Sequence, residues 1–541
     1  MSKSIGLMVM ILMFGSSIGF AQDRYAIHYR YKPQTDYHLD VPEELMLAKA
    51  VNRRLREGVS LDSTDLPVSP KYIEELKPLV SKIQYHSKWL NASVVVATAE
   101  QIAFLEALPF VDRAELVAKG FYDASHGGKM ESGRIPVSIS LKSKKDNSYD
   151  LQNEILGIPA MHDMGFTGEG ITIAVFDAGF NNADKISGMQ HLFDKNRIIA
   201  MRDFVGPEER DVFHTDGHGT AALSVMAAYQ PRQLVAGAYD AQYVLCITED
   251  VRSEYRIEEY NWVRAAEFAD SLGVDIINSS LGYNRFDDAR MNYAKEDLDG
   301  KTAIITQGAV LAARKGILVV SSAGNEGNGS WQTLTAPADG DGVLAVGAVN
   351  NQLQKSSFSS TGPTADGRIK PDLVALGSNV TIWRQVDSPN ISSGTSFSSP
   401  QIAALAAGLW QAKPEWTRAQ LMERLLKSGS QANDPDTELG YGVPNFTSAY
   451  FWDDLEPGEV AKSYLFPNPL DGDELFIHHG KDTDCMVRII HPQGQVIADG
   501  NLHRSTANLP YKVRMKNIKP GLYIVECRDK WLRKNYRLLI E

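Results

Sequence analysis

Cysteine is scarce in this sequence, with three among 541 residues, and none of their spacings fits a zinc site. A chain of this length can bury a large core without disulfides, so the scarcity does not exclude export into an oxidising compartment. Cys246 lies in a strand-like apolar run and is predicted to be a buried thiol. Cys485 and Cys527 lie in strand-like segments near the C-terminus, where they either pair or remain free.

An excess of basic residues is also missing. The formal net charge is −12, and the charges are spread along the chain rather than gathered in a block. Binding to phosphate needs a basic face, so the balance argues against nucleic acid as the main partner and indicates ordinary solubility. Apolar residues make up 43% and charged residues 23%, which is a globular composition, and the length predicts about two to four domains.

Long apolar runs are missing everywhere except at the N-terminus. Lys3 is followed by the apolar run 5–14 and by small residues that lead to Ala21, which is the layout of a signal peptide over 1–21. A buried N-terminal helix is the alternative interpretation. No other stretch is long enough to cross a bilayer, so we expect an exported mature protein without a transmembrane span.

The first region after this leader, 22–147, has a mixed pattern. Leu90 to Ala97 is strand-like, and Phe110 to Val117 is strand-like again. Between them Thr98 and Gln101 form a capping box that opens a short helix with an apolar stripe. The region therefore predicts an N-terminal α+β domain.

The segment 148–450 alternates short apolar strands with helical patterns, as in Thr220 to Ala228 and Gln307 to Arg314. The predicted strands are Ile171 to Phe176, Tyr243 to Thr248, Asp275 to Ser280, Ile317 to Ser321, Val343 to Val349 and Asp372 to Leu376. Near-continuous apolar strands separated by helices predict an α/β domain with a doubly wound, mostly parallel sheet covered on both faces. Functional sites in such sheets gather at the C-terminal ends of the strands.

Two polar segments, 123–149 and 451–463, are predicted to be exposed linkers. Beyond the second linker the helical period disappears, and strand-like segments are separated by turns such as Pro492-Gln493-Gly494. Residues 464–541 therefore predict a small all-β domain, most simply a sandwich.

Three short motifs in the central region carry chemically useful side chains. Asp177 ends the first predicted strand, so its carboxylate would lie on a rigid backbone at the edge of the sheet. His218 lies between two glycines, which allow other backbone to approach the imidazole. Ser396 precedes an apolar helix, and free N–H groups at a helix N-terminus favour negative charge.

These residue types together suit nucleophilic catalysis. A serine hydroxyl needs a base that takes its proton and donors that stabilise the resulting oxyanion. His218 would be the base, and Asp177 would orient and stabilise the imidazolium. The Ser396 backbone N–H and the side-chain amide of Asn325, which follows a buried strand, would bind the oxyanion.

The segments around Asp177, His218, Asn325 and Ser396 resemble the signature motifs of the subtilisin-like serine proteases, peptidase S8, in the order Asp, His, Ser. The resemblance extends to Gly440-Tyr441-Gly442-Val443-Pro444. It implies a secreted serine endopeptidase that hydrolyses peptide bonds through an acyl-enzyme, without a cofactor. It also implies that 22–147 is a propeptide with its linker, so that the protein is a zymogen. An ordinary N-terminal domain that stays attached is the alternative.

The same resemblance implies a peptide-binding cleft. Ser280, Leu281 and Gly282 would pair with an extended substrate, or they form an ordinary strand end. Ser322, Ala323 and Gly324 would form the opposite wall of the primary side-chain pocket, where small residues leave room for a sizeable side chain. The long charged segment 283–301 either shapes the cleft or is a solvated insertion.

One position departs from the family, which usually has Ser or Thr after the catalytic aspartate where this chain has Ala178. The departure keeps a second hypothesis open, a catalytically weak or inactive protease fold that serves as a surface scaffold or adhesion protein. An esterase is not supported, because Gly-x-Ser-x-Gly is absent around Ser396. His214 and Asp216 fit no metal template, and no calcium loop is evident, so no metal site is predicted.

The C-terminal 464–541 resembles the sorting domain of the type IX secretion system of Bacteroidetes, with basic residues before the final Leu538-Leu539-Ile540. It implies secretion or display at the cell surface, with the secretion machinery and protein or peptide substrates as partners. A β-sandwich that binds carbohydrate or protein is the rival interpretation.

Overall fold

The computed structural model describes residues 22–33, 36–120, 150–206, 211–450 and, apart from 467, 469, 471, 472, 481, 505–509, 517 and 531, residues 464–540. The predicted signal peptide 1–21 and the predicted linkers 123–149 and 451–463 lie outside the described residues. None of the helices in the described ranges combines the length and the apolarity that crossing a bilayer requires.

The N-terminal domain is an antiparallel sheet with three α-helices. Its strands are β1 Asp23–Tyr29, β2 Lys82–Ser87, β3 Ala92–Ala97 and β4 Val111–Ala118, in the order β2-β3-β1-β4. Its helices are α1 Ala48–Glu57, α2 Pro70–Leu76 and α3 Ala99–Glu106. The predicted capping box is confirmed, because the Thr98 hydroxyl accepts from the Gln101 amide while the Gln101 side chain accepts from the Thr98 amide. The sequence pattern missed β1 and β2, whose side chains are less regularly apolar.

The central domain contains a seven-stranded parallel sheet in the order β13-β12-β11-β10-β5-β9-β6. The strands are β5 Thr172–Asp177, β6 Ile198–Asp203, β9 Gln242–Ile247, β10 Ile276–Ser279, β11 Leu318–Ser322, β12 Leu344–Val349 and β13 Leu373–Leu376. Six of them were predicted to within about two residues, as is usual for strand ends. The unpredicted strand β6 lies at the sheet edge, where its first five residues alternate between half-buried and exposed.

Helices cover both faces of this sheet, as the prediction of a doubly wound domain requires. They are α4 Leu151–Glu154, α5 Ile158–Asp163, α6 Gln190–Asp194, α7 His218–Ala227, α8 Ile257–Leu272, α9 Ile304–Arg314, α10 Thr395–Ala412, α11 Arg418–Lys427 and α12 Phe446–Tyr450. Strand β5 shows the division, because Ile173 and Val175 pack with α7 and α10 while Ala174 and Phe176 pack with α8 and α9. Two short antiparallel pairs complete the domain, β7 Tyr229–Gln230 with β8 Leu234–Val235 and β14 Val380–Ile382 with β15 Asn390–Ser392.

The N-terminal domain packs on the α8 face. Trp89, Val94 and Val117 join the hydrophobic cluster that α8 and α9 form with the sheet. Buried side chains of α1, Arg53 and Arg54, pair with Asp270 of α8. The contact is therefore partly apolar and partly ionic.

The C-terminal region forms small antiparallel sheets, which is part of the predicted sandwich. The strands are β16 Tyr464–Phe466, β17 Glu474–His478, β18 Asp484–Ile490, β19 Val496–His503, β20 Tyr511–Arg514, β21 Gly521–Arg528 and β22 Arg533–Ile540. They are ordered β16-β17-β20 and β19-β18-β21-β22, and residues of both sheets share one hydrophobic core. Cys485 and Cys527 lie in that core as free thiols, and a hydrogen bond with Cys527 lowers the pKa of Cys485. Cys246 is buried in the central sheet, as predicted.

Candidate active site

Asp177 is the last residue of β5, at the C-terminal edge of the parallel sheet. Its side chain is fully buried, and its Oδ1 accepts hydrogen bonds from His218 Nδ1 and from the Ala178 amide, both at 2.8 Å. Gly219 allows this approach, because a Cβ at that position would lie 2.8 Å from the Asp177 Cβ. The carboxylate is thus fixed against the imidazole by the backbone of two elements.

His218 is the first residue of α7, and one fifth of its side chain is exposed. Burial alone would lower the pKa of this imidazole, but the charge of Asp177 and their hydrogen bond raise it above its usual value. Because Asp177 accepts at Nδ1, Nε2 is the nitrogen left for a reaction. The Phe397 ring lies 5.6 Å from the imidazole, between the centroids, and covers part of it.

Ser396 is the second residue of α10, where the backbone N–H has no partner within the helix. Its hydroxyl donates to the Ser280 carbonyl at 3.1 Å, and its own carbonyl accepts from the Ser280 hydroxyl at 2.9 Å. Among the described residues, His218 is not a hydrogen-bond partner of this hydroxyl. The preceding Gly394 has φ of 151°, which residues with a side chain rarely adopt, so glycine sets the entry to the helix.

Asn325 follows β11, and its side-chain amide is fixed by hydrogen bonds that its oxygen accepts. Its Oδ1 accepts from the Thr395 amide at 2.9 Å and from the Thr395 hydroxyl at 3.0 Å. This pairing assigns the amide orientation and leaves the Nδ2 donor for a ligand beside Ser396.

A single cavity of about 660 Å³ brings most of the predicted residues together. Its lining includes His218, Asn325 and Ser396, with the predicted substrate-binding residues Ser280, Leu281, Gly282, Ser322 and Gly324. Asp177 is hydrogen-bonded to His218, which lines the cavity. Ala323 lies behind the wall, fully buried, with its amide donating to Val346.

The departure at Ala178 has a structural consequence. The second carboxylate oxygen of Asp177, Oδ2, is buried and has no hydrogen-bond partner among the described residues. Ala178 is itself buried and offers no hydroxyl. A Ser or Thr at this position would carry the donor that Oδ2 lacks.

An acidic wall of the cavity was missed in the sequence. Glu249 and Glu254, in the loop after β9, line the cavity, and Glu258 lies behind them at the start of α8. The available signal was their position, because residues that follow a strand of a parallel sheet lie at its functional edge. His214 and Asp216 lie apart from this group, with His214 Nε2 3.6 Å from Asp203 and Asp216 paired with Arg384 at 2.8 Å.

Comparisons with known proteins point to one protein family. Residues 168–442 match the subtilase family, peptidase S8, and residues 24–129 match the peptidase S8 propeptide domain of Bacteroidota. The chain is 27% identical to subtilisin E of Bacillus subtilis over 372 residues, which are 68% of this chain and 83% of that protein. It is 31% identical to a subtilisin of Bacillus pumilus over 271 residues, 49% of this chain and 86% of that protein. Subtilisin BL of Lederbergia lenta is 26% identical over 291 residues, 54% of this chain and 94% of that protein.

Proposed function

Because the chain belongs to the subtilase family of serine peptidases, peptidase S8, we propose that it is a secreted endopeptidase in which Asp177, His218 and Ser396 form the catalytic triad. The observation that carries the proposal is the 2.8 Å hydrogen bond from His218 to buried Asp177 in the cavity that also contains Ser396. A raised pKa makes this imidazole a better base.

The reaction begins with a rotation of the Ser396 hydroxyl. A serine hydroxyl swings between staggered rotamers about χ1, so the proton now donated to Ser280 can turn to His218 Nε2. Reactive hydrogen bonds are often loose before substrate binds.

Acylation then forms a bond from Ser396 Oγ to the peptide carbonyl carbon as the hydroxyl proton moves to His218. The C–N bond breaks when the imidazolium returns that proton to the departing amine. Water, deprotonated by the same imidazole, then attacks the ester; the bond to Ser396 Oγ breaks, the imidazolium returns the proton to that oxygen, and the acid is released. Asp177 stabilises the imidazolium in both steps without taking a proton.

Two donors are suited to the oxyanion, Asn325 Nδ2 and the Ser396 backbone N–H at the start of α10. Ser280 to Gly282 line one side of the cavity and are proposed to pair with the substrate backbone. Ser322 and Gly324 line the same cavity and are proposed to form the side-chain pocket, with Ala323 packed behind them.

Export and maturation complete the proposal. The chain is made as a zymogen whose N-terminal domain is removed, the signal peptide 1–21 directs crossing of the inner membrane, and 464–541 acts as the type IX sorting domain. The match to a propeptide domain of Bacteroidota supports the first part of this proposal. The alternative of an inactive scaffold is not favoured, because the bond between Asp177 and His218 is intact.

A fluorophosphonate probe tests the proposed nucleophile. We expect labelling of Ser396 in the mature protein and none in Ser396→Ala. Ser393→Ala is the matched control, because Ser393 lies three positions away, is exposed and should not alter labelling. A folded, processed wild type that does not react with the probe contradicts the proposal. Mass spectrometry of the secreted form tests removal of the propeptide and of the C-terminal region.

A further inference from the structure

An acidic pocket opens into the wall of the cavity. We use this name for Glu249, Glu254 and Glu258, each of which has a carboxylate oxygen within 4.8 Å of one from the other two. Glu249 and Glu254 are half-buried and line the cavity, whereas Glu258 is fully buried behind them. The pocket therefore has an acidic rim and an acidic base.

The base of the pocket has an unsatisfied oxygen. Glu258 Oε1 accepts from the Tyr255 amide at 3.3 Å, but Oε2 is buried and has no hydrogen-bond partner among the described residues. Burial, followed by the charges of Glu254 and Glu249, raises the pKa of Glu258 well above its usual value. A buried carboxyl oxygen without a partner is costly, and a bound cation would offset that cost by favouring the charged form of the group.

A second buried polar group lies in the field of the same carboxylates. The Tyr283 hydroxyl has no hydrogen-bond partner among the described residues, and the residue is 1% exposed. Burial and then the charges of Glu258 and Glu249 raise the pKa of Tyr283 well above its usual value. The phenol stays neutral and can accept a hydrogen bond from a cationic donor.

The pocket already acts on a cation of the N-terminal domain. Burial lowers the pKa of the Arg24 guanidinium, and the charges of Tyr85, Asp250 and Glu258, in that order, act in the opposite direction. Arg24 forms no hydrogen bond with Glu258 among the described residues. Glu258 therefore acts on this cation only through its charge, and its unpaired oxygen is not satisfied by Arg24.

We propose that the acidic pocket binds a positively charged amino group of the peptide substrate, either a lysine side chain or a free amino terminus. The inference rests on the proposed function, because it assigns the pocket to the substrate of that same cavity. An ammonium group has three N–H donors, which matches three converging carboxylates. A group that enters the pocket comes from the cavity in which the peptide lies, because two of the three residues line that cavity.

The test compares quenched peptides that differ in one position. A single lysine is moved through the three positions on either side of the cleaved bond, in peptides with an acetylated amino end, and norleucine replaces it as the uncharged analogue. A parallel set has no lysine and carries either a free or an acetylated amino end. We expect one arrangement to be cleaved about 10- to 100-fold better in kcat/KM than its neutral analogue, the range for a hydrogen-bonded charge.

Variants of the pocket locate the effect. Glu258→Gln and, in case that buried change impairs folding, Glu254→Gln should each remove most of the preference while cleavage of the neutral analogue is kept. Glu326→Gln is the matched control, because Glu326 is another half-buried carboxylate of the same cavity and should leave the preference unchanged.

The outcomes separate this inference from the proposed function. Wild type that cleaves no peptide contradicts the proposed function, whereas cleavage of charged and neutral peptides at equal rates overturns the inference alone. A preference that survives in both pocket variants also overturns it. So does a preference that is lost on chelation and restored by calcium, since a divalent ion held by the carboxylates would exclude an ammonium group and the preference would then arise elsewhere.

Discussion

Two buried aspartates of the central domain, Asp177 in the cleft and Asp270 under the propeptide, differ in how their oxygens are paired. Asp270 accepts from Arg53 and, at 2.8 Å, from Arg54. Arg54 also binds Asp65, which accepts from Lys315 at 2.7 Å. Asp177 has one oxygen bound to His218 and Ala178 and the other without a partner among the described residues.

The difference separates a structural use of buried charge from the proposed catalytic one. A buried charge with full partners fixes the position of two elements, and the removal of one partner leaves the others uncompensated. A buried charge whose single side-chain partner is an imidazole stabilises the protonated form of that imidazole, as a reacting histidine requires. We therefore expect loss of the Asp177 charge to change the rate, and loss of the Asp270 carboxylate to change stability.

The largest effect should follow Asp177→Asn. The side chain keeps its shape but loses the charge that orients and stabilises the His218 imidazolium, so kcat should fall about 10⁴-fold. That magnitude is the one known for this substitution in serine protease triads and does not come from this geometry. The melting temperature, measured alongside the rate, should change little. A loss of less than about tenfold would contradict the role of Asp177.

The next largest effect should follow Asp270→Ala, measured in a Ser396→Ala background to prevent self-cleavage. Arg53 and Arg54 would be left buried without their shared carboxylate, so the free energy of unfolding should fall by about 3–5 kcal/mol. Urea unfolding provides the measurement. The control is Glu423→Ala, which removes an exposed pair with Lys427 and should cost less than about 1 kcal/mol. Equal costs for the two variants would show that the buried network contributes no more than a surface pair.

Much of this fold could be predicted because the central strands are buried on both faces. Such strands must be apolar throughout, so β5 and β12 are visible as short apolar runs. The edge strand β6 has no such pattern, because one side of it faces solvent. The first strand of the propeptide was missed for a similar reason, since only its second half is buried.

The parts of the candidate site that could be predicted are those where the backbone requires glycine. Glycines around His218 and before Ser396 stand where a side chain would collide or strain the backbone, and these positions leave a signature in the sequence. The acidic pocket has no such signature, because Glu249 and Glu258 meet only after a loop and a helix have folded against the sheet. The missing partner of Asp177 Oδ2 was likewise visible only in three dimensions.

A smaller, pH-dependent effect should arise at the propeptide contact. His28 is buried, its Nε2 lies 2.9 Å from the Tyr260 hydroxyl of α8, and burial, with the nearby Arg113 charge, lowers the pKa of His28 to about 4. The unfolded imidazole has a pKa near 6.5. Between these values the unfolded chain binds more protons, so the stabilisation is complete above pH 6.5 and is lost as the pH falls towards 4.

The full loss corresponds to about 3 kcal/mol, from the difference between the two pKa values. Urea unfolding of the Ser396→Ala chain at several pH values should show this slope, and His28→Gln should flatten it. His38→Gln provides the control, because His38 is an exposed histidine of the same domain and its replacement should leave the slope in place. A slope that persists in His28→Gln would assign the pH dependence to other groups.

The smallest effect should come from adding a hydrogen-bond donor for the unpaired oxygen of Asp177. In Ala178→Ser the new hydroxyl can donate to Asp177 Oδ2, which is buried and without a partner among the described residues. A hydrogen bond to a charged group contributes about 1.5–3 kcal/mol. Fitting a hydroxyl into a buried position offsets part of this gain, so we expect the free energy of unfolding to rise by about 1 kcal/mol. The new donor would share the negative charge of the carboxylate with His218 and so weaken its effect on the imidazole only in part. We therefore expect kcat to change by less than about tenfold. Ala178→Cys is the matched control, since a thiol of similar size is a weak donor and should not stabilise the protein. If the thiol stabilises it as much as the hydroxyl does, the gain comes from filling space, and the unpaired oxygen of Asp177 carries no energetic cost.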